Sequence, residues 1–155
     1  LPEGLETIGN EAFSGVPLTE IVIPDSVKSI GSLAFNFNTA VPGALPTLEK
    51  VVIGENVAFI GDGAFSNQTK LTSVTIPAGV NGMIEPFRRC TGLKTVYFDD
   101  PSSWYAGFNV SSNPGKIVKT STDENVSAIF ADPSLAATEL QSQRRDIYRN
   151  AWYKK

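Results

Sequence analysis

Four stretches of the chain place apolar residues in the same order. Leu18–Pro24 reads LTEIVIP, Leu48–Gly54 reads LEKVVIG, Leu71–Pro77 reads LTSVTIP and Leu93–Phe98 reads LKTVYF. Each fits L-x-x-I/V-x-I/F. The first three continue with a spaced apolar residue, Val27, Val57 or Val80. Ile30-Gly31 and Ile60-Gly61 follow, with Met83-Ile84 as a degenerate third pair. Ala34-Phe35 and Ala64-Phe65 close two units, and Phe87 stands at that place in the next. The first fifteen residues are the back half of the same unit: Leu1-Pro2, Leu5, Ile8-Gly9 and Ala12-Phe13 fall in phase.

The last apolar position of the triplet falls at Leu1, Ile23, Ile53, Ile76 and Phe98, at intervals of 22, 30, 23 and 22. The long interval places an insertion within 36–47, whose sequence is loop-like. Alternation at Ile21 and Ile23 and their equivalents predicts one short, half-buried strand per unit. The Pro or Gly that follows ends the strand. The glycine of the Ile-Gly pair is expected to bend the chain through a positive φ. A single 22-residue coil cannot bury its own apolar face, whereas stacked coils can. Phe13, Phe35, Phe65 and Phe87 are therefore expected to form one column, and Ile21, Val51, Val74 and Val96 another.

The whole unit, L-x-x-I/V-x-I-P-x-x-V-x-x-I-G-x-x-A-F, resembles the BspA-like leucine-rich repeats from Leu1 to about Asp100. Coils of that family often continue A-F-x-x-C, and Cys90 stands at that cysteine position; the other coils carry Val16, Asn38 and Gln68 there. The departures are the insertion, Gly54 for proline and the worn unit around Met83 to Phe87. The expected fold is a β-rich repeat solenoid of the leucine-rich-repeat type, with about four and a half coils over 1–100 and the insertion at 36–47. The chain starts inside a unit, and stacked repeats need a polar cap at each end. Further coils or another domain are expected before Leu1.

The repeat signature fades from Pro101. Residues 101–131 are expected to form an irregular or degenerate coil, with Ile117-Val118 and Ala128-Ile129-Phe130 as short apolar runs of strand length. Asp132-Pro133 is a helix-start signature, Asp as cap and Pro at the first helical position. Leu135, Leu140, Ile147, Ala151 and Trp152 recur at near-helical spacing, so a helix is expected over 132–155, capping the open end of the stack. This tail holds five basic residues against three acidic ones. Basic residues late in a helix complement its dipole; a basic partner-binding or membrane-surface helix is the alternative.

Composition narrows the chemistry. With 16 acidic and 13 basic residues the net charge is −3, unlike the basic face of a nucleic-acid binder. There is no run of 18 apolar residues, hence no membrane span. The chain contains no histidine, which removes His-based triads and the usual zinc sites. Cys90 is the single cysteine and is expected to be buried and structural. Asp99-Asp100 reads as a strand end or turn, and Glu55 and Glu85 as solvated turn charges. No catalytic residue, metal site or cofactor is expected.

What remains is binding. The residues between the buried strand positions point outward: Glu20, Val22, Lys50, Val52, Ser73, Thr75, Thr95 and Tyr97. They form a ladder on the face that repeat proteins commonly offer to partners, and its mix of charge, hydroxyl, two valines and one tyrosine fits a merely solvated sheet equally well. Trp104, Tyr105 and Phe108, set among Gly, Ser and Asn, read first as core of a final irregular coil; an aromatic contact loop for a glycan or a protein is the second candidate. Arg88-Arg89 reads as soluble turn surface, with a small anion patch as the alternative. The resemblance implies a non-catalytic interaction or adhesion module of a bacterial surface or secreted protein, with a host or matrix protein as partner. A structural spacer, or a carbohydrate-binding accessory module using Trp104 and Tyr105, is the alternative.

Overall fold

In the computed structural model, the described residues are 1–37, 45–109, 117–118, 124–141 and 151–154. Each repeat unit gives two very short strands. In chain order these are β1 (Thr7–Ile8), β2 (Glu20–Val22), β3 (Ser29–Ile30), β4 (Lys50–Val52), β5 (Phe59–Ile60), β6 (Ser73–Ile76), β7 (Gly82–Ile84) and β8 (Thr95–Phe98). The even-numbered strands are those the triplet predicts. They pair parallel as β2–β4, with Ile21 opposite Val51, and as β6–β8, with Val74 opposite Val96. The odd-numbered strands form a second parallel array, β1–β3–β5–β7, which brings Ile8, Ile30, Ile60 and Met83 into one buried row.

Two kinds of corner join these strands. Where Pro24, Gly54 and Pro77 follow the triplet, the carbonyl of each accepts a hydrogen bond from the amide of Val27, Val57 or Val80. At the far corner the Phe13, Phe35 and Phe65 amides donate to the carbonyls of Ala34, Ala64 and Pro86 in the next unit, at 2.7–2.8 Å. Coil-to-coil hydrogen bonding thus continues around the bend, which satisfies backbone groups that burial would otherwise strand. The four phenyl rings stack in sequence with centroids 5.1, 5.3 and 5.5 Å apart.

The Ile-Gly glycines have a different reason from the one expected. Positive φ falls two residues later, at Glu11, Leu33 and Gly63, and at Glu85 just after Ile84 in the worn unit, so non-glycine residues carry most of that bend. Gly31 and Gly61 are needed because the coils pack too closely for a side chain. A Cβ on Gly31 would lie 2.6 Å from the Asn10 nitrogen, and one on Gly61 2.6 Å from the Gly31 carbonyl carbon.

The C-terminal third departs from the expectation. It contains β9 (Trp104–Asn109), β10 (Ile117–Val118), β11 (Glu124–Asn125), α1 (Ser127–Phe130), α2 (Pro133–Gln141) and β12 (Ala151–Lys154). Residues 128–130 are therefore helical rather than extended. The start of α2 is as read: the Asp132 carboxylate accepts from the Ser134 and Leu135 amides, with Pro133 at the first helical position. These bonds, with that from the Ser134 hydroxyl foremost, hold the Asp132 pKa below its usual value. The helix does not reach Lys155, because Ala151–Lys154 is a strand.

β12 lies between β7 and β9, antiparallel to both, with Trp152 opposite Met83 on one side and Ala106 on the other. It takes the place beside β7 that the next repeat strand would otherwise fill. Ala151, Trp152 and Tyr153 are all buried, covered on both faces of the sheet. Ala106 leaves room beside the Trp152 indole, whose Nε1 donates to Glu139 Oε1 of α2 at 3.0 Å. β9 pairs on its other side with β10 and β11, completing an eight-stranded mixed sheet among the described residues. α2 packs on β8, and the Gln141 amide donates to the Leu93 carbonyl.

Candidate interaction surface

The triplet strands alternate, so every second side chain leaves the core. Register sorts the outward ladder into two rows. Val22 stands opposite Val52, and Thr75 opposite Tyr97. Glu20 stands opposite Lys50, and Ser73 opposite Thr95. One row is thus largely apolar and the other polar. Val22, Val52 and Tyr97 are 55%, 41% and 50% exposed, and they are three of the seven large hydrophobics exposed among the described residues. Their placement in one row is a consequence of repeat phase: each is the residue just before the last buried position of its triplet.

The row is interrupted midway. No β-bridge joins β4 to β6, although β5 and β7 remain paired on the other side of the stack. A cleft of about 170 Å³ opens there between Val52 and Thr75, with Ile53, Glu55, Pro77 and Asp99 among its walls. The exposed ion pair Lys70–Glu49, at 3.5 Å, joins the same two coils ahead of these strands. It contributes little to stability at such exposure.

The aromatic contact loop of the sequence reading is not a loop. Trp104, Tyr105 and Phe108 lie in β9. Trp104 is fully buried, edge-on to Phe98 at 5.4 Å and to Phe130 at 5.5 Å, while Phe98 and Phe130 stack at 4.3 Å. Tyr105 is half-buried against the Tyr153 ring. The Phe108 side chain lies outside the described residues; its backbone pairs with Val118. The core reading holds for Trp104, because α1 and β12, distant in sequence, cover the indole.

The remaining polar candidates have structural partners. Lys154 Nζ lies 2.8 Å from Asp100 Oδ2 and over the Trp104 ring, and the Trp104 indole donates to the Asp100 carbonyl. Asp100 therefore pins the end of β12. Lys154, together with Ser102, holds its carboxyl far below the usual range. Glu85 is not a solvated turn charge: it is only 8% exposed and pairs with Arg88 at 2.8 Å. Arg88 also reaches Asp62, so Arg88-Arg89 is not an open pair of cations. Cys90 is buried with its thiol directed at the Phe65 carbonyl, and burial pushes its pKa up to about 12. Among the described residues, no three His, Cys, Asp or Glu side chains are grouped to hold a metal. Nor is any described helix long and apolar enough to cross a membrane.

The comparisons with known proteins agree with this architecture. The model of the BspA-type leucine-rich repeat region matches in six copies, over residues 1–104 and 43–155, well past the Asp100 limit of the visible repeat. A leucine-rich repeat protein from Bacteroides capillosus is 38% identical, with a TM-score of 0.55 over 61% of this chain and 64% of that one. Two structures at 22% identity share the fold. These are the pneumococcal vaccine antigen PcpA, TM-score 0.50 over 64% of this chain and 25% of that one, and a leucine-rich cell surface protein from Faecalibacterium prausnitzii, TM-score 0.51 over 64% and 31%. The chain thus spans less than two thirds of each. No curated protein matches it. The chain belongs to the BspA-type leucine-rich repeat family.

Proposed function

We propose that this chain is a non-catalytic protein-binding module of a bacterial surface or secreted protein, a short solenoid whose C-terminal end is capped by α2. The observation that carries the reading is the apolar row Val22, Val52, Thr75 and Tyr97. Exposed apolar side chains aligned across successive coils cost solubility, and their cross-strand contacts return only part of that to folding. Exposed apolar side chains gathered on one face, here on either side of the Val52–Thr75 cleft, are a usual mark of a contact surface. Tyr97 is the natural anchor, a large side chain with a polar tip and few rotamers to freeze. The polar row of Glu20, Lys50, Ser73 and Thr95 supplies the rim. Surface display is supported by the fold shared with the leucine-rich cell surface protein of Faecalibacterium prausnitzii.

The test is capture on immobilised host matrix proteins (collagen, fibronectin and laminin) by the chain and by its Val22→Ser/Val52→Ser/Tyr97→Ala variant. The proposal expects at least one matrix protein to bind the chain, and the variant to bind it at least tenfold more weakly with an unchanged unfolding midpoint. Equal binding by both would remove the row from the interface. A chain that binds none of the three would favour a spacer that only presents other domains.

A further inference from the structure

The other array carries a second surface with a different chemistry. Over β1, β3 and β5 a trench of about 440 Å³ runs across the strands, lined by Thr7, Asn10, Ser29, Ser32 and Phe59 above a glycine floor. That volume lies in the range of small-ligand sites. The floor stays open by necessity. Gly31 and Gly61 cannot carry a side chain without striking the neighbouring coil. With Gly9, Gly31 and Gly61 in the lining, this part of the trench presents backbone rather than side chains.

We infer that this trench is a binding site for a short neutral oligosaccharide. None of its ten lining residues carries a charge. An anionic or cationic ligand would find no counter-charge and would lose its hydration there. A purely apolar ligand fits no better, because it would cover the hydroxyls of Thr7, Ser29 and Ser32 and leave them without partners. A sugar meets both conditions. Its hydroxyls donate to and accept from these side chains. The C–H face of a pyranose ring packs on the partly exposed Phe59 ring, as apolar sugar faces do on aromatics. Register sets Thr7, Ser29 and Phe59 side by side on successive strands. Two strand spacings, about 10 Å in all, suit a short chain of sugars laid across the strands. Asn10 is held in place by the hydrogen bond its Oδ1 accepts from the Ser32 amide, at 2.8 Å. This site lies on the sheet opposite the apolar row and does not depend on it.

The test uses the whole chain with cellopentaose, maltopentaose and chitopentaose, and a sulfated oligosaccharide as charged control. Binding is followed by amide chemical shifts and by calorimetry. The inference expects at least one neutral pentaose to shift the amides of Thr7, Ser29, Ser32 and Phe59. Phe59→Ala and Ser29→Glu should each weaken binding at least tenfold, while the Val22/Val52/Tyr97 variant binds the sugar as the parent does. Ser29→Glu keeps the test decisive if Phe59→Ala disturbs the fold, since it alters only a trench wall. Three outcomes overturn the inference: no shift with any neutral pentaose at millimolar concentration, shifts mapping to another face, or binding of the sulfated sugar alone.

Discussion

Replacing Phe65 by alanine probes the phenyl column where it is most enclosed. Phe65 is fully buried, with Phe35 at 5.3 Å on one side and Phe87 at 5.5 Å on the other. Burying a phenyl ring is worth about 2–3 kcal/mol. Each of its two stacks adds about 0.5–1.5 kcal/mol. Partial collapse of the cavity returns some of this, so the expected loss is about 3–5 kcal/mol, the usual range for buried Phe→Ala. Phe13 is half-buried and has one ring neighbour in the column, Phe35 at 5.1 Å. Phe13→Ala should cost only about 1–2 kcal/mol on the same reckoning. Both losses can be read from urea unfolding, followed by tryptophan fluorescence at the buried Trp104 and Trp152 and, in parallel, by far-ultraviolet circular dichroism. Coincident transitions would justify the two-state treatment that repeat stacks can violate. Equal losses at the two positions would refute the reasoning, as would a loss under about 1.5 kcal/mol at Phe65. Either result would mean that the column is not a continuous packed unit.

Other perturbations separate the remaining parts of the account. Gly31→Ala should cost about 2–3 kcal/mol, because its Cβ would strike the backbone of the preceding coil. Gly9→Ala, with nothing within 4 Å, should stay within about 0.5 kcal/mol in the same urea assay. Cys90 should resist Ellman's reagent at neutral pH in the native chain and react at once in denaturant, since burial keeps the thiol protonated. Asp100 has a folded pKa held below its unfolded value by Lys154 and Ser102, so its contribution is present above about pH 4 and fades as pH falls below that. Asp132, also depressed, acts in the same direction. Acid titration of stability should therefore be shallower for Asp100→Asn than for the parent chain, and identical slopes would show that the Lys154 contact does not hold β12.

Much of the fold could be read because the repeat writes each core position several times. Leu18, Leu48, Leu71 and Leu93 mark phase, and phase alone predicted the Phe column and the outward ladder. The second array was missed for a physical reason. Thr7–Ile8, Ser29–Ile30 and Phe59–Ile60 are two residues long, too short to display an alternation, and they are strands only because neighbouring coils pair with them. β12 was misread because Ala151 and Trp152 extend an apparently helical spacing from Leu140. A strand buried on both faces shows no alternation to contradict it. For Trp104 the neighbouring sequence left both core and contact loop open; the core reading holds, and the burial comes from Phe130 and Lys154. The division of the ladder into apolar and polar rows was present in the sequence all along, and only the register of β2 with β4 and of β6 with β8 made it visible.

The central claim is that binding resides in the apolar row and that the polar row is rim. It is tested most directly by measuring affinity for the captured matrix protein with two variants side by side. One is Val22→Ser/Val52→Ser/Tyr97→Ala and the other Glu20→Ser/Lys50→Ser. The account predicts a loss of tenfold or more for the first, or about 1.4 kcal/mol, and less than about threefold for the second, with both unfolding as the parent does. A larger loss in the polar-row variant, or none in either, would contradict it.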